Sequence, residues 1–258
     1  MDIMPTPDLF LLIPVAMIAF FLIQGPFRDR QLKEELKTGD SEDVHLRIYK
    51  NTGRFLWAAG VLSVVCWFLS GRTLGDLGFQ ATKDGWRGWI AWGGLVLALA
   101  YVIYSLISIR LTRKARDAFR KEVAAGGDID LIRPSTAREH RGFQFLSIAA
   151  GINEEILFRG FLIGVMAMFM PLWVAAIAAT LLFTLAHIYQ GMAGMMRILP
   201  ISASLAALFV IGGSLWPVII LHILVDSAAG LMIAWSDRFE DDDRAASGEV
   251  APLASISV

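Results

Sequence analysis

The chain has 258 residues, of which 56% are apolar and 18% are charged, and its formal net charge is −1. Soluble domains are about half apolar and about a quarter charged, so this composition and a mean hydropathy of +0.58 exclude an ordinary soluble protein and favour a membrane protein. The small net charge identifies no binding partner, and the single cysteine, Cys66, excludes a disulfide framework.

The first expected element is an apolar run at about residues 9–25, which follows the stretch MDIMPTPD. That stretch carries two Asp and no Lys or Arg. It therefore lacks the basic region of a cleavable signal peptide, and we expect the first run to be retained. The later apolar runs lie at about 54–70, 88–109, 143–170, 172–189, 196–212 and 216–235.

The lengths of these runs predict a bundle of transmembrane helices. A helix needs about 20 apolar residues, within a range of about 17–25, to cross the bilayer core. The run at 88–109 meets that length plainly, whereas Pro200 weakens the run at 196–212 and predicts a partly re-entrant segment there. The predicted fold is an all-α, polytopic transmembrane helical bundle with about seven spans, within a range of about six to eight.

The distribution of basic residues predicts the orientation of the bundle. Loop 26–54 holds seven Lys or Arg and loop 110–142 holds nine, whereas the opposite face holds only Arg72, Lys83 and Arg87. The positive-inside rule therefore predicts an outside N-terminus and a cytoplasmic C-terminus in a multi-pass protein of the cell (inner) membrane. Topology accounts for the basic loops, so we expect membrane lipids and no nucleic acid as partners.

Composition divides the chain into four regions. Residues 1–109 form an N-terminal transmembrane region of about three spans, and residues 110–139 form a basic cytoplasmic linker. The segment 110–125, RLTRKARDAFRKEVAA, is either a solvated helix extension or an amphipathic helix that lies on anionic headgroups. Residues 140–235 form a four-helix core, and the acidic, then small and polar, residues 236–258 predict a disordered cytoplasmic tail.

The fourth apolar run contains GINEEILFRG, which places three charged side chains inside an apolar segment. Thr136 and Glu139 have the spacing of a capping box, which predicts a long helix that begins just after Thr136. On that helix Glu155 and Arg159 are i and i+4 and can form an ion pair, whereas Glu154 points elsewhere and has no partner in its own helix. A charge at the bilayer centre costs about 2.5–3.5 kcal/mol, and such residues usually mark function. For Glu155 and Arg159 the alternative is an ion pair that only holds helices together.

Two later runs contain the other intramembrane titratable side chains of this half of the chain. LLFTLAHIYQ contains His187, and VIILHILVDSAAG contains His222 and Asp226 at i and i+4. A carboxylate four residues from a histidine can bind one ring nitrogen and leave the other for chemistry, although a lone membrane histidine is more often a hydrogen bond between helices. Glutamate and histidines on separate helices can hold a metal-bound water or activate a water directly, and both alternatives predict hydrolysis inside a membrane cavity. The remaining histidines, His45 and His140, lie in basic loops and are expected to be solvated.

The motifs EEILFR, FTLAH and HILVD resemble, in this order, the EExxxR, FxxxH and HxxxN-or-acid motifs of the CPBP family. This family of CAAX-protease and bacteriocin-processing membrane proteins includes the type II CAAX prenyl endopeptidases. Each motif alone is a weak signal, but three in order on successive apolar helices are specific. The resemblance covers about residues 140–235 and implies an intramembrane endopeptidase that hydrolyses membrane-associated or lipidated protein or peptide substrates.

The resemblance also implies roles for individual residues of the first two motifs. Glu154 would activate the attacking water together with His187. Glu155 and Arg159 would support the site or position the substrate.

For the third motif the resemblance implies that His222 and Asp226 stabilise the oxyanion. This chain has Asp226 where the eukaryotic-type enzymes have Asn. The family implies either a zinc ion, with Glu154, His187 and His222 as its ligands, or a metal-free mechanism in which glutamate activates the water. Both alternatives stay open at the level of the sequence.

Two further functions are compatible with the same residues. A proton-coupled transporter would use Glu154 and the histidines as a relay, but it predicts inverted repeats, and the sequence has none that we can identify. A catalytically silent immunity or scaffold protein would keep the motifs for folding.

Two features of the sequence concern how the helices pack. The small-xxx-small spacing of Gly160 and Gly164 predicts a close approach between the fourth span and a neighbour. By position in their spans, His187 lies near the cytoplasmic end and His222 near the outer end. Their convergence on one site therefore requires tilted or broken helices.

Overall fold

The structure is a computed structural model that describes residues 6–125, 129–240 and 243. The described residues form a helical bundle without strands. The α-helices, in chain order, are α1 (Leu12–Thr38), α2 (Ser41–Leu69), α3 (Leu74–Leu77), α4 (Trp86–Leu111), α5 (Arg113–Ala125), α6 (Ala137–Glu154), α7 (Ile163–Met166), α8 (Leu172–Ala186), α9 (Gly191–Gly212) and α10 (Leu215–Arg238). A π-helix, Glu155–Leu162, joins α6 to α7, and short 3-10 helices precede α1 and α9 at Thr6–Leu11 and Ile188–Gln190.

Five helical segments in the described part of the chain are long and apolar enough to cross a membrane. They comprise α2, α4 and α10, together with α1 and α9 extended by the 3-10 turns that precede them. The other two predicted spans have different forms, because α8 has only 15 residues and the fourth span is built from α6, the π-helix and α7. The prediction of an all-α polytopic bundle is confirmed. Its two irregular spans are those that carry the EEILFR and FTLAH motifs.

The fourth span begins at the predicted capping box. Thr136 Oγ1 accepts a hydrogen bond from Glu139 N at 3.2 Å, and Glu139 Oε2 accepts one from Thr136 N at 2.9 Å. The other carboxylate oxygen of Glu139 binds Nδ1 of His45 at 2.8 Å, and His45 Nε2 donates to the carbonyl oxygen of Asp130 at 2.7 Å. The expectation that His45 is solvated is therefore wrong: it is buried and ties the loop before α6 to α2.

Two glycines allow other elements to approach the π-helix and α7 closely. A Cβ at Gly160 would lie 2.7 Å from the carbonyl oxygen of Leu77, and a Cβ at Gly164 would lie 2.8 Å from the ring of Trp67 on α2. Both distances are too short for a methyl group, so larger residues would push these elements apart. The predicted close packing at Gly160 and Gly164 is confirmed.

The ninth α-helix is continuous through its proline. Pro200 lies inside α9, which runs without interruption from Gly191 to Gly212. At about 1.5 Å per residue, its 22 residues extend about 33 Å, enough to cross the bilayer core. In the structure this segment is therefore a full helix and not a partly re-entrant one.

The basic linker contains a separate helix. Thr112 has an extended backbone (φ −128°, ψ 129°), so α4 ends there and α5 is not a straight extension of it. Arg116 on α5 is buried and donates two hydrogen bonds to the carboxylate of Asp243, at 2.6 and 2.7 Å. These bonds from Arg116, assisted by Arg120, lower the pKa of Asp243 to about 2.

The start of the predicted disordered tail is helical. α10 continues to Arg238, and the carbonyl oxygen of Ser236 accepts a hydrogen bond from Arg120 at 2.6 Å. The prediction of disorder from residue 236 is therefore wrong for the beginning of the tail, because contacts with α5 hold it in place. Residues 241–242 and 244–258 lie outside the described residues.

Candidate active site

The polar residues of three spans meet at one cavity of about 710 Å³. Its wall includes four of the six candidate site residues, namely Glu154, His187, His222 and Asp226. The other two, Glu155 and Arg159, lie behind this wall and are 0% and 1% exposed. The structure thus separates the six candidates into a group that faces the cavity and a buried pair that supports it.

Glu155 links the π-helix to α10. Its Oε1 accepts a hydrogen bond from Arg159 at 3.0 Å, which confirms the ion pair predicted from their spacing. The same oxygen lies 2.6 Å from Nδ1 of His222. A carboxylate on Nδ1 orients the imidazole ring and leaves Nε2 for chemistry. The carboxylate that orients His222 in this way is Glu155, and not Asp226 as the i, i+4 spacing had suggested.

Arg159 has partners on two further helices. It donates to Oγ and to the carbonyl oxygen of Ser202 on α9, at 2.9 and 3.2 Å, and its guanidinium lies 4.4 Å from the ring centre of Phe183 on α8. Ser202 is 0% exposed, and no motif or spacing in the sequence distinguishes it. The available signal was a serine in the middle of an apolar run, which is too common to be specific.

Nε2 of His222 faces the cavity between two carboxylates. It lies 3.8 Å from Oε2 of Glu154 and 3.5 Å from Oδ2 of Asp226. The side chain of Glu154 is 16% exposed and that of Asp226 is 36% exposed, so both reach the cavity. A water or a substrate carbonyl in this position would meet carboxylate and imidazole groups together.

His187 reaches the cavity because α8 is short. The helix ends at Ala186, and the 3-10 helix that follows turns the chain into α9. Nδ1 of His187 lies 2.9 Å from the carbonyl oxygen of Phe183, which can only accept a hydrogen bond. The neutral ring therefore carries its proton on Nδ1, and Nε2 is left as a base. The broken helix required for His187 and His222 to converge is thus present.

The change of helix type occurs between the two glutamates. Glu154 is the last residue of α6, and the π-helix begins at Glu155. π-helical turns interrupt the α-helical register and often occur at functional sites. Here Glu154 reaches the cavity while Glu155 is fully buried against Arg159 and His222.

The arrangement of these side chains can be compared with that of a catalytic zinc site. Catalytic zinc sites have three protein ligands whose donor atoms lie about 2.0–2.2 Å from the ion. No three His, Cys, Asp or Glu side chains of the described ranges are grouped to hold a metal ion. The contact of Glu155 with Nδ1 of His222 does not decide the question, because a metal-ligating histidine commonly has a carboxylate on its other ring nitrogen. The three-ligand zinc site of Glu154, His187 and His222 stays a prediction, and the steps below are derived from the side chains themselves.

The fold and the site together define a polytopic helical membrane protein with a glutamate–histidine centre in an internal cavity. Residues 141–228 match the family model described as Type II CAAX prenyl endopeptidase Rce1-like. The matched region contains all six candidate residues, and the match confirms the resemblance to the CPBP family and indicates a peptidase. No curated protein and no solved structure matches the chain.

Proposed function

We propose that this protein is an intramembrane endopeptidase that cleaves peptide bonds of membrane-associated or lipidated proteins or peptides. The observation that carries the proposal is the position of Glu154 beside Nε2 of His222 at the wall of a cavity of about 710 Å³. A general base and an electrophilic group on opposite sides of one carbonyl are the minimum that amide hydrolysis requires. The family match over the same residues favours this function over a transporter or a scaffold.

In the proposed mechanism Glu154 takes a proton from a water molecule. The water oxygen attacks the carbonyl carbon of the peptide bond, and its pair of electrons forms the new C–O bond. Nε2 of His187, the unprotonated nitrogen of that ring, accepts a hydrogen bond from the same water and orients it. When the C–N bond breaks, Glu154 returns the proton to the leaving amine, so that the carboxylate is restored.

The developing oxyanion lies on the side of His222 and Asp226. Glu155 accepts the Nδ1 proton of His222, so His222 donates to the carbonyl oxygen from Nε2 in its imidazolium form, with both ring nitrogens protonated. Asp226 acts as a second donor, in its protonated form. Donors aimed at the oxyanion are usually among the largest contributions to such catalysis.

Glu155 and Arg159 act as positioning residues in this proposal. Neither reaches the cavity, and both are tied to helices that carry site residues. Arg159 connects the π-helix to α9 through Ser202, and Glu155 connects it to α10 through His222. Their contribution is the orientation of the imidazole, and not contact with substrate.

We further propose that the attacking water is activated without a metal; the support is that the described residues include no group of three His, Cys, Asp or Glu side chains placed to hold a metal ion. Purified protein should then cleave substrate at full rate with far less than one equivalent of zinc by elemental analysis, and chelation should not reduce the rate. About one equivalent of zinc, with activity lost on its removal and restored on its return, would contradict the metal-free mechanism.

The proposed orientation places the mouth of the cavity on the cytoplasmic side. The cavity wall extends from Glu154 to Leu131 and Ile132 in the basic linker and to Arg197 near the start of α9. The positive-inside rule assigns these segments to the cytoplasm. Cysteine labelling of single-cysteine variants from either side of the membrane tests the orientation, with Cys66 first replaced by serine.

The central experiment measures cleavage of a panel of membrane-associated peptides by detergent-purified protein. Glu154→Gln removes the base but keeps the size of the side chain, so the rate should fall by about 10²–10⁴-fold with near-normal expression. Glu34→Gln on the exposed part of α1 is the matched control and should leave the rate unchanged.

Two results would decide against the assignment. Cleavage by Glu154→Gln at more than half of the wild-type rate would remove Glu154 from the role of base. Peptide binding without any cleavage by the wild-type protein would favour the scaffold function.

A further inference from the structure

Three arginines of the described chain line the catalytic cavity, and they differ in their partners. Arg28 lies 3.9 Å from the carboxylate of Asp29, and Arg133 donates to Asp237 at 3.0 Å. Arg197 has no hydrogen bond or ion pair with any described residue. The cavity wall therefore contains one guanidinium whose charge is not compensated by this part of the protein.

Arg197 lies close to the catalytic network along the chain. It precedes Ser202 on α9 by five residues, which at about 1.5 Å per residue is about 7.5 Å along the helix axis. Ser202 binds Arg159, which in turn supports Glu155. Arg197 and Ser202 both line the cavity from α9, and Arg197 lies roughly one and a half turns nearer the start of that helix.

The unpaired charge needs a physical explanation. A half-buried guanidinium beside apolar side chains loses solvation, and an anionic partner normally compensates for this loss. Glu154 lines the same cavity but forms no ion pair with Arg197; its carboxylate lies 3.8 Å from Nε2 of His222. A partner that enters the cavity from outside the protein would supply the missing negative charge.

We propose that Arg197 binds a carboxylate of the peptide substrate and so determines substrate specificity; the inference rests on the proposed peptidase function. Guanidinium groups bind carboxylates through two parallel hydrogen bonds, which gives both strength and orientation. Every peptide has one such group at its C-terminus, and an acidic side chain has the same chemistry.

A second hydrogen-bond donor at the cavity also favours a carboxylate as the ligand. Tyr189 and Gln190, in the 3-10 helix before α9, line the same cavity as Arg197. The hydroxyl of Tyr189 accepts a hydrogen bond from Nε2 of Gln190 at 3.0 Å, so its own proton remains available for donation. The guanidinium of Arg197 and the hydroxyl of Tyr189 are both hydrogen-bond donors at this cavity, and such donors suit an anion better than a neutral amide.

The test uses peptide pairs that differ in one charge. One pair has a C-terminal carboxylate or a C-terminal amide, and the other has an internal Asp or Asn with the C-terminus amidated. We expect wild-type kcat/KM to favour the carboxylate member of one pair by about 10- to 100-fold, the size of a hydrogen bond to a charged group. In Arg197→Gln that preference should disappear, and in Arg197→Lys it should be partly kept. The pair that shows the effect identifies the source of the carboxylate.

Arg133→Gln is the matched control, because Arg133 lines the same cavity but is paired with Asp237. It should keep the wild-type preference. Equal carboxylate-to-amide ratios in the wild type and in Arg197→Gln would overturn the inference. So would an effect of Arg197→Gln that appears only in nanodiscs containing anionic lipid, since Arg197 would then bind a headgroup.

A binding measurement separates this inference from the proposed function. In the Glu154→Gln background, where turnover is removed, fluorescently labelled carboxylate and amide peptides should still differ in Kd. Adding Arg197→Gln to that background should abolish the difference. If the wild-type protein cleaves no peptide, the peptidase proposal fails, while the Kd ratio still decides whether Arg197 binds a carboxylate.

Discussion

The fourth helix, α4, and the π-helix show two ways in which a chain occupies a membrane. α4 is a regular helix of 26 residues that leaves Trp89 79% exposed and Leu97 73% exposed. All eight residues of the π-helix, from Glu155 to Leu162, are buried. The first segment faces lipid with apolar side chains, and the second is enclosed by protein on every side.

The difference follows from which groups of each segment need a polar partner. The apolar side chains of α4 are stable in hydrocarbon. The hydrogen bonds within the helix satisfy its backbone groups. Hydrocarbon cannot satisfy the charges of Glu155 and Arg159, so α8, α9 and α10 supply their partners through Phe183, Ser202 and His222. A polar site in a membrane thus requires a protein shell around it, while an apolar span requires only length.

Breaking the buried ion pair should give the largest effect on stability. Glu155→Gln leaves the guanidinium of Arg159 without its negative partner, and loss of one partner of a buried pair costs about 3–5 kcal/mol. We expect a large fall in yield and in the Tm of the purified protein. Tyr101→Phe on the exposed face of α4 is the control and should behave as wild type. If Glu155→Gln were as stable as Glu154→Gln, the supporting role of Glu155 would be wrong.

Changing Asp226 should affect the rate more than the stability. Asp226→Ala removes the proposed oxyanion donor, which should lower kcat by about 10²–10³-fold. Asp226→Asn keeps a donor of the same size and should keep most of the activity. The kinetics of both variants on one substrate provide the test. If the two variants are equally inactive, the carboxylate itself is required, and the donor role is excluded.

Glycine substitutions compare the packing of α6, which leads into the π-helix, with that of α4. A Cβ at Gly151 would lie 2.8 Å from the backbone nitrogen of Ile223, next to His222, so α6 and α10 would have to separate. Gly151→Ala should therefore cost about 1–3 kcal/mol of stability and lower activity as well. Gly93→Ala on α4 meets nothing within 4 Å and should cost nothing. Thermal unfolding of the two variants measures the difference; equal Tm values would contradict the proposed tight contact.

The smallest effect is expected at the edge of the bundle, where Asp243 holds α5. Its pKa of about 2 lies below the unperturbed value of about 3.9, so its contribution to stability is present above pH ~4 and is lost as the pH falls toward ~2. Proteolysis of α5 should become faster in that interval. Asp243→Asn should show the faster cleavage at every pH, and a wild-type rate for this variant at pH 7 would exclude the contact.

Local features of the chain could be predicted from the sequence because they depend on nearest neighbours. Apolar length predicted the helices, the spacing of Thr136 and Glu139 predicted a helix start, and the i, i+4 spacing of Glu155 and Arg159 predicted their ion pair. The sequence also identified which six titratable side chains to consider, because charges are rare inside apolar runs.

The arrangement of those side chains depends on contacts between distant parts of the chain. Glu155 and His222 are 67 residues apart, and Arg159 and Ser202 are 43 apart. No periodicity in the sequence specifies which of three carboxylates binds a given ring nitrogen, or where an α-helix widens into a π-helix. The packing of α6, α9 and α10 decides both, because a buried charge takes the partner that the neighbouring helices bring within reach.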